Sequence, residues 1–187
     1  MMTDADDQRI VTGIVAGQKD LFRVLVHRHE QAVYGMGLSF FRNAEDAADF
    51  TQEVFLKAYH SLPKFEGRSR FSTWLYKIAY NTALNGVSRR KEYHSLGEEE
   101  LVPDRNTPEQ ALLRAAAREA VVDAVRELPD KYRICVDLFF FYDRSYQEIE
   151  LITGHPVNTI KSHVFRAKKL LREKLTAYSE GGHDGLS

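Results

Sequence analysis

The sequence predicts an all-α chain of two small helical domains joined by a flexible acidic linker, the C-terminal domain containing a helix-turn-helix. Apolar residues recur at helical rather than alternating spacing along most of its length, and no segment reads as a strand. Residues 92–106 are polar, acidic and proline-containing without periodicity, which marks a linker. Residues 145–175, SYQEIELITGHPVNTIKSHVFRAKKLLREKL, carry start, turn and restart signals for two consecutive helices. The expected boundaries are therefore 1–91, 92–106 and 107–187.

In the N-terminal part Leu21, Leu25, Val33, Met36 and Phe40 fit one apolar stripe, and Val54, Phe55, Ala58 and Leu62 fit a second. Asn43 is the expected N-cap of the second helix, whose acidic residues come early and whose Lys57 comes late, as the helix dipole favours. Pro63 stops that helix, and a loop over residues 63–70 leads to another opened by Ser72, with Gly86 as its expected stop. Beyond the linker, Thr107, Pro108 and Gln110 open a helix that runs to Pro129. Tyr132, Val136, Phe139 and Phe140 then form a core helix. In the final segment Ser145 and Glu148 make a capping box, Gly154 ends the first helix in the left-handed conformation, and Pro156 suits the start of the second.

The chain has 187 residues and 43% hydrophobic content, enough for two small cores. Net charge is only −1, so a nucleic-acid partner must be inferred from where charge lies. Asp4, Asp6 and Asp7 make the start acidic and residues 98–100 are an acidic run, whereas basic residues gather over 68–91 and 161–174. The lone Cys135 sits among apolar residues and reads as a buried thiol in a reducing, cytoplasmic compartment. No signal peptide is visible, and the strongly apolar run 138–141 is too short for membrane insertion. No cofactor motif, glycine-rich phosphate loop, nucleophile elbow or metal-ligand cluster points to an enzyme; His27 and His29 are expected to be surface residues on different sides of a helix.

Two basic surfaces emerge. In the last helix Ile160, Val164, Ala167 and Leu171 face inward, leaving Lys161, Ser162, Phe165, Arg166, Lys169 and Arg172 outward. A recognition helix presents such residues to base edges in the major groove, where Lys or Arg bonds guanine and an aromatic meets the thymine methyl. A solvated basic helix is the competing reading, and the outward Phe165 argues against it. In the helix after Ser72, Leu75, Ile78, Ala79 and Thr82 form the expected buried face, while Lys77, Asn81 and Asn85 fall at i, i+4 and i+8 on another. Amides carry donor and acceptor together, and the preceding loop adds Phe65, Gly67, Arg68, Ser69 and Arg70, a combination suited to an unstacked base. Phe71 and Trp74 are assigned to the core; Tyr76 and Tyr80 are open between core and stacking surface. Extended, the linker spans on the order of 50 Å, more than one DNA turn of about 34 Å, so two modules could touch separate grooves.

Taken together, FTQEVFLKAY, FSTWLYKIAYNTA, LPDKYRICVDL, SYQEIELITGHPVNTIKSHVFRAKKLL and the acidic linker resemble the extracytoplasmic-function (ECF) sigma factors of the sigma-70 family. The resemblance implies a subunit that joins core RNA polymerase, with a region-2 domain for the −10 element of promoter DNA and a region-4 domain for the −35 element. It implies core binding by Asp49, Gln52 and Glu53, −10 contacts over residues 65–85 including Asn81 and Asn85, and −35 contacts by Lys161, Ser162, Phe165 and Arg166; Asn158, Thr159 and Lys169 complete the expected −35 set. An anti-sigma factor is a further implied partner. Ala48, Tyr80 and His163 depart from residues common in the family, and the Asn85–Gly86 pair is expected to shorten its helix. Two rival functions remain at this stage: a sigma mimic that sequesters an anti-sigma factor, and a helix-turn-helix repressor or activator.

Overall fold

The computed structural model describes the backbone of residues 4–93 and 120–181, and the side chains of residues 6–86 and 120–176. Among the described residues all regular structure is helical, as the periodicity predicts. The chain divides into two compact units, one holding the helices between Asp4 and Tyr93 and the other most of the helical segments from residue 120 onward.

The N-terminal unit comprises α1 (Asp4–Val15), a 3-10 turn (Lys19–Leu21), α2 (Phe22–Phe41), α3 (Ala44–Ser61), a second 3-10 turn (Leu62–Lys64) and α4 (Phe71–Tyr93). Helices α2, α3 and α4 pack mutually, and α1 lies against α2 and α4. Their interior is Leu25, Val33 and Met36 from α2, Phe50, Val54, Phe55 and Ala58 from α3, and Leu75, Ala79 and Ala83 from α4, which confirms the central positions of both stripes. Leu21 and Phe40, at the ends of the first stripe, are only half-buried. Arg42 ends α2 in the left-handed region (φ 61°) and Asn43 caps α3, its Oδ1 accepting from the Asp46 N–H at 2.8 Å.

The N-terminal unit departs from the sequence pattern at three residues, Gly86, His29 and Asp7. Gly86 does not stop α4; the helix continues through it to Tyr93, so residues 92 and 93 of the expected linker are helical. The reason is packing: a Cβ at Gly86 would lie 2.9 Å from Cζ of Phe41, so the bare backbone admits that ring. His29 is not a surface residue, unlike His27, because its side chain is only 13% exposed and bonds Asp7. Asp7 itself is buried rather than part of a solvated acidic start.

From residue 120 onward the described chain forms α5, over residues 120–126, α6 (Asp130–Val136), a π turn (Asp137–Phe141), α7 (Tyr146–Thr153) and α8 (Val157–Gly181). Helix α6 packs along α8, and Val125, Leu128, Val136 and Ala167 make a core joined by the half-buried Tyr132, Leu170 and Leu171. Cys135 is buried as expected, and burial raises its thiol pKa to about 11. The expected core helix through Phe140 is interrupted: the π turn, with Tyr142 N–H reaching the Asp137 carbonyl at 3.1 Å, shifts the helical phase and leaves Phe140 51% exposed. The helix start at Thr107, Pro108 and Gln110 and most of the linker lie outside the described residues.

Candidate nucleic-acid interface

The turn preceding α8 is built by local chemistry. The Ser145 N–H and hydroxyl donate to Glu148 Oε2 at 3.0 and 2.9 Å, and the Glu148 N–H returns to Ser145 Oγ at 3.2 Å, closing the capping box that opens α7. Gly154 takes φ 76°, and its N–H bonds the Glu150 carbonyl at 2.8 Å, ending the helix in a conformation costly to residues with a Cβ. After this turn α8 buries Ile160, Val164 and Ala167, so the alternate positions face solvent. Asn158, Lys161, Ser162, Phe165, Arg166 and Lys169 are exposed and Thr159 is half-buried.

Phe165 is 71% exposed, the most exposed large apolar side chain among the described residues. With Tyr146, Lys161, Ser162 and Arg166 it lines one shallow depression. The Lys161 ammonium stands 5.8 Å from the Tyr146 ring, which stacks on Phe139 at 4.8 Å. The Ser162 hydroxyl donates to the Asn158 carbonyl at 2.9 Å, leaving its oxygen free to accept, and Lys169 lies 3.9 Å from Glu173. Sequence periodicity did not single out Tyr146 and assigned Phe140 to the core; the latter lies under the Lys168 ammonium at 5.0 Å. His163, by contrast, faces inward: its ring lies 3.7 Å from the Cys135 sulfur and beside Tyr132. Desolvation, reinforced by His155, Lys131 and Arg166, lowers its pKa and favours the neutral ring.

The second surface lies on α4 and the loop before it. Lys77, Asn81 and Asn85 are exposed in one row while Leu75, Ala79 and Thr82 are buried behind them, matching the expected faces; Ile78 is half-buried. Tyr76 and Tyr80 are 4% and 7% exposed, which assigns both to the interior. Phe65 is half-buried, its ring 6.0 Å from Phe71 and 5.1 Å from Trp74, with Trp74 half-buried at the surface. In the loop Gly67 has φ 69°, Arg68 is exposed and pairs with Glu66 at 2.6 Å, Ser69 is half-buried and Arg70 is exposed.

On α3, Asp49, Gln52 and Glu53 are all exposed, and Glu53 bonds Lys57 at 2.7 Å. Leu56, one turn further, is 61% exposed on the same face, an apolar residue that the second stripe did not include.

Two family models match separate segments of the chain. Sigma-70 region 2 matches residues 25–93 and Sigma-70, region 4 matches residues 118–171. The RNA polymerase sigma-H factor of Pseudomonas aeruginosa is 32% identical over 186 residues, covering 94% of this chain and 96% of the relative. The chain belongs to the ECF group of the sigma-70 family. An ECF RNA polymerase sigma-E factor of Haemophilus influenzae is 33% identical, covering 94% of this chain and 98% of the relative. The fold agrees with solved structures of CnrH in complex with the cytosolic domain of CnrY, and of the sigma factor RpoE in complex with the anti-sigma factor NepR from Bartonella quintana. Their TM-scores are 0.68 and 0.69 at 23% and 22% identity; the first covers 91% of this chain and 97% of CnrH, the second 83% and 96% of RpoE. As an alternative sigma factor, the chain directs promoter recognition and transcription initiation. Among the described residues no helix is long and apolar enough to cross a membrane.

Proposed function

We propose that this sigma factor holds one promoter at two places while core RNA polymerase supplies the chemistry. In this reading residues 1–91 form the region-2 domain, 92–106 the linker and 107–187 the region-4 domain. Asn158, Thr159, Lys161, Ser162, Phe165, Arg166 and Lys169 of the region-4 domain contact the −35 element in duplex DNA. The observation that carries this assignment is the exposure of Lys161, Ser162, Phe165 and Arg166 on the first turns of α8, above a buried row of Ile160, Val164 and Ala167. Such residues suit guanine edges and thymine methyls in a major groove.

In the region-2 domain, Lys77, Asn81 and Asn85 with Phe65, Gly67, Arg68, Ser69 and Arg70 capture unstacked bases of the −10 element. Unstacking costs a few kcal/mol per step, so a pocket for the freed base biases duplex opening. The solvent-facing amides on α4 support this role. Asp49, Gln52, Glu53 and the exposed Leu56 form the face for core polymerase. Polymerase fixes the spacing of both contacts and so raises the effective concentration of each site for its element. The protein acts by binding in the cytoplasm and is not itself an enzyme. Solved neighbours bound to anti-sigma or cytosolic partner chains support an anti-sigma factor as its regulator.

The test is transcription by bacterial core enzyme reconstituted with this sigma factor on a promoter library. Lys161→Ala or Arg166→Ala is expected to lower discrimination at the upstream element by about 1–3 kcal/mol, the value of a good base contact. Unchanged promoter choice by both variants would remove them from the interface.

A further inference from the structure

Helix α1 lies outside the matched region-2 segment, which begins at residue 25. It is nevertheless tied to the loop over residues 65–70 by three connected observations. The Asp7 carboxylate is buried, with Oδ1 2.5 Å from Arg28 Nη1 and Oδ2 2.7 Å from His29 Nε2. The His29 ring then packs on Phe71, the first residue of α4, at 5.4 Å, and Phe71 meets both Phe65 and Trp74. On the next residue of α1, the Gln8 amide reaches the loop itself, where a Cβ on Gly67 would sit 3.1 Å from its Nε2.

A carboxylate desolvated this deeply is tolerated only with charged partners. Burial alone would raise the Asp7 pKa, yet the hydrogen bonds from His29 and Arg28 and their charges outweigh it and hold the carboxyl below its ordinary 3.8. Asp7 therefore fixes the rotamers of Arg28 and His29, His29 backs Phe71, and Gln8 lies beside the left-handed residue at the loop tip. The geometry points to α1 as a brace for the base-capturing loop, with Asp7 and Gln8 as positioning residues that set its shape without touching DNA. This rests on the assignment of residues 65–70 to the −10 element. A loop site gains precision when its supporting shell is locked, and loses affinity when the loop must be ordered on binding.

Two substitutions separate the brace from mere fold support. Asp7→Asn removes the charge that holds Arg28 and His29, and Gln8→Ala removes an exposed side chain that the core does not use. Holoenzyme made with each variant is titrated with a labelled single-stranded oligonucleotide carrying the non-template −10 strand of a promoter it transcribes. Each variant is expected to bind this probe about fivefold more weakly, with core-polymerase affinity and duplex −35 discrimination unchanged. In the free chain the emission of Trp74, its single tryptophan, should shift as the Phe65–Phe71–Trp74 cluster loosens. If Asp7→Asn does not fold, Gln8→Ala alone decides. Wild-type probe affinity and Trp74 emission in Gln8→Ala overturn the brace while leaving the loop assignment standing. Holoenzyme that fails to bind the probe before any substitution overturns the loop assignment, and the brace with it.

Discussion

Replacing Phe165 by alanine separates interface from core in one residue. The ring is 71% exposed, so its removal leaves no cavity and should change folding stability by less than about 0.5 kcal/mol, as for other surface positions. A phenylalanine buries about 150–250 Å² when fully covered, so on the order of 120 Å² of this ring is left for a partner. If a DNA groove covers half of that, about 60 Å² at about 25 cal/mol per Å² gives roughly 1.5 kcal/mol, or about tenfold in affinity. The assay is initiation by the reconstituted holoenzyme on paired templates with an intact or scrambled −35 element, beside thermal unfolding of the free chain. Phe165→Ala should reduce the preference for the intact element by about tenfold with an unchanged melting temperature. A folded variant with full preference would refute the assignment of Phe165 to the duplex contact. A melting temperature lowered by the equivalent of about 3 kcal/mol, the range for core aromatics, would place the ring in the interior instead.

Two other outcomes follow from the geometry. Substituting both Asn81 and Asn85 by alanine should lower open-complex yield on duplex templates and spare templates already melted at the −10 element; equal yields on both would remove the amide row from the site. Because burial raises the Cys135 thiol from 9.0 to about 11, the native state holds that proton more tightly than the unfolded chain. Its contribution is complete below pH 9 and is lost as pH rises through 11, by about 2 kcal/mol at pH 11, taking about 1.36 kcal/mol per pKa unit. Denaturant titrations of wild type and Cys135→Ala across that window should therefore converge or cross, and curves that stay parallel would contradict a buried thiol.

Much of this protein is legible in its sequence because local signals and burial agree. The Asn43 cap, the Ser145–Glu148 box and Gly154 each act within a few residues, so their chemistry is visible without knowing the fold. The alternation of Ile160, Val164 and Ala167 with Lys161, Phe165 and Arg166 likewise fixes both faces of α8. What escaped notice depends on distant neighbours. Gly86 carries a stop signal locally, but the ring of Phe41 from α2 makes a glycine useful inside the helix. Asp7 and His29 look like surface charge until α1 is laid on α2, where each becomes the other's partner. Phe140 follows the apolar period, yet one π turn rotates it outward. Leu56 lies outside the second stripe, and its exposure is the outcome the period predicts for such a position.

On the proposed reading, two surfaces of one chain act on a promoter only when polymerase holds both. Run-off transcription on duplex promoter templates decides this, comparing the chain alone, core enzyme alone and the two together in the absence of any inhibitor. Specific transcripts are expected from the mixture only, and both the Phe165→Ala and the Asn81/Asn85→Ala chains should reduce them while still joining core enzyme. A purified chain that does not associate with bacterial core enzyme, or that binds promoter duplex tightly and specifically by itself, would rule out joint action through polymerase.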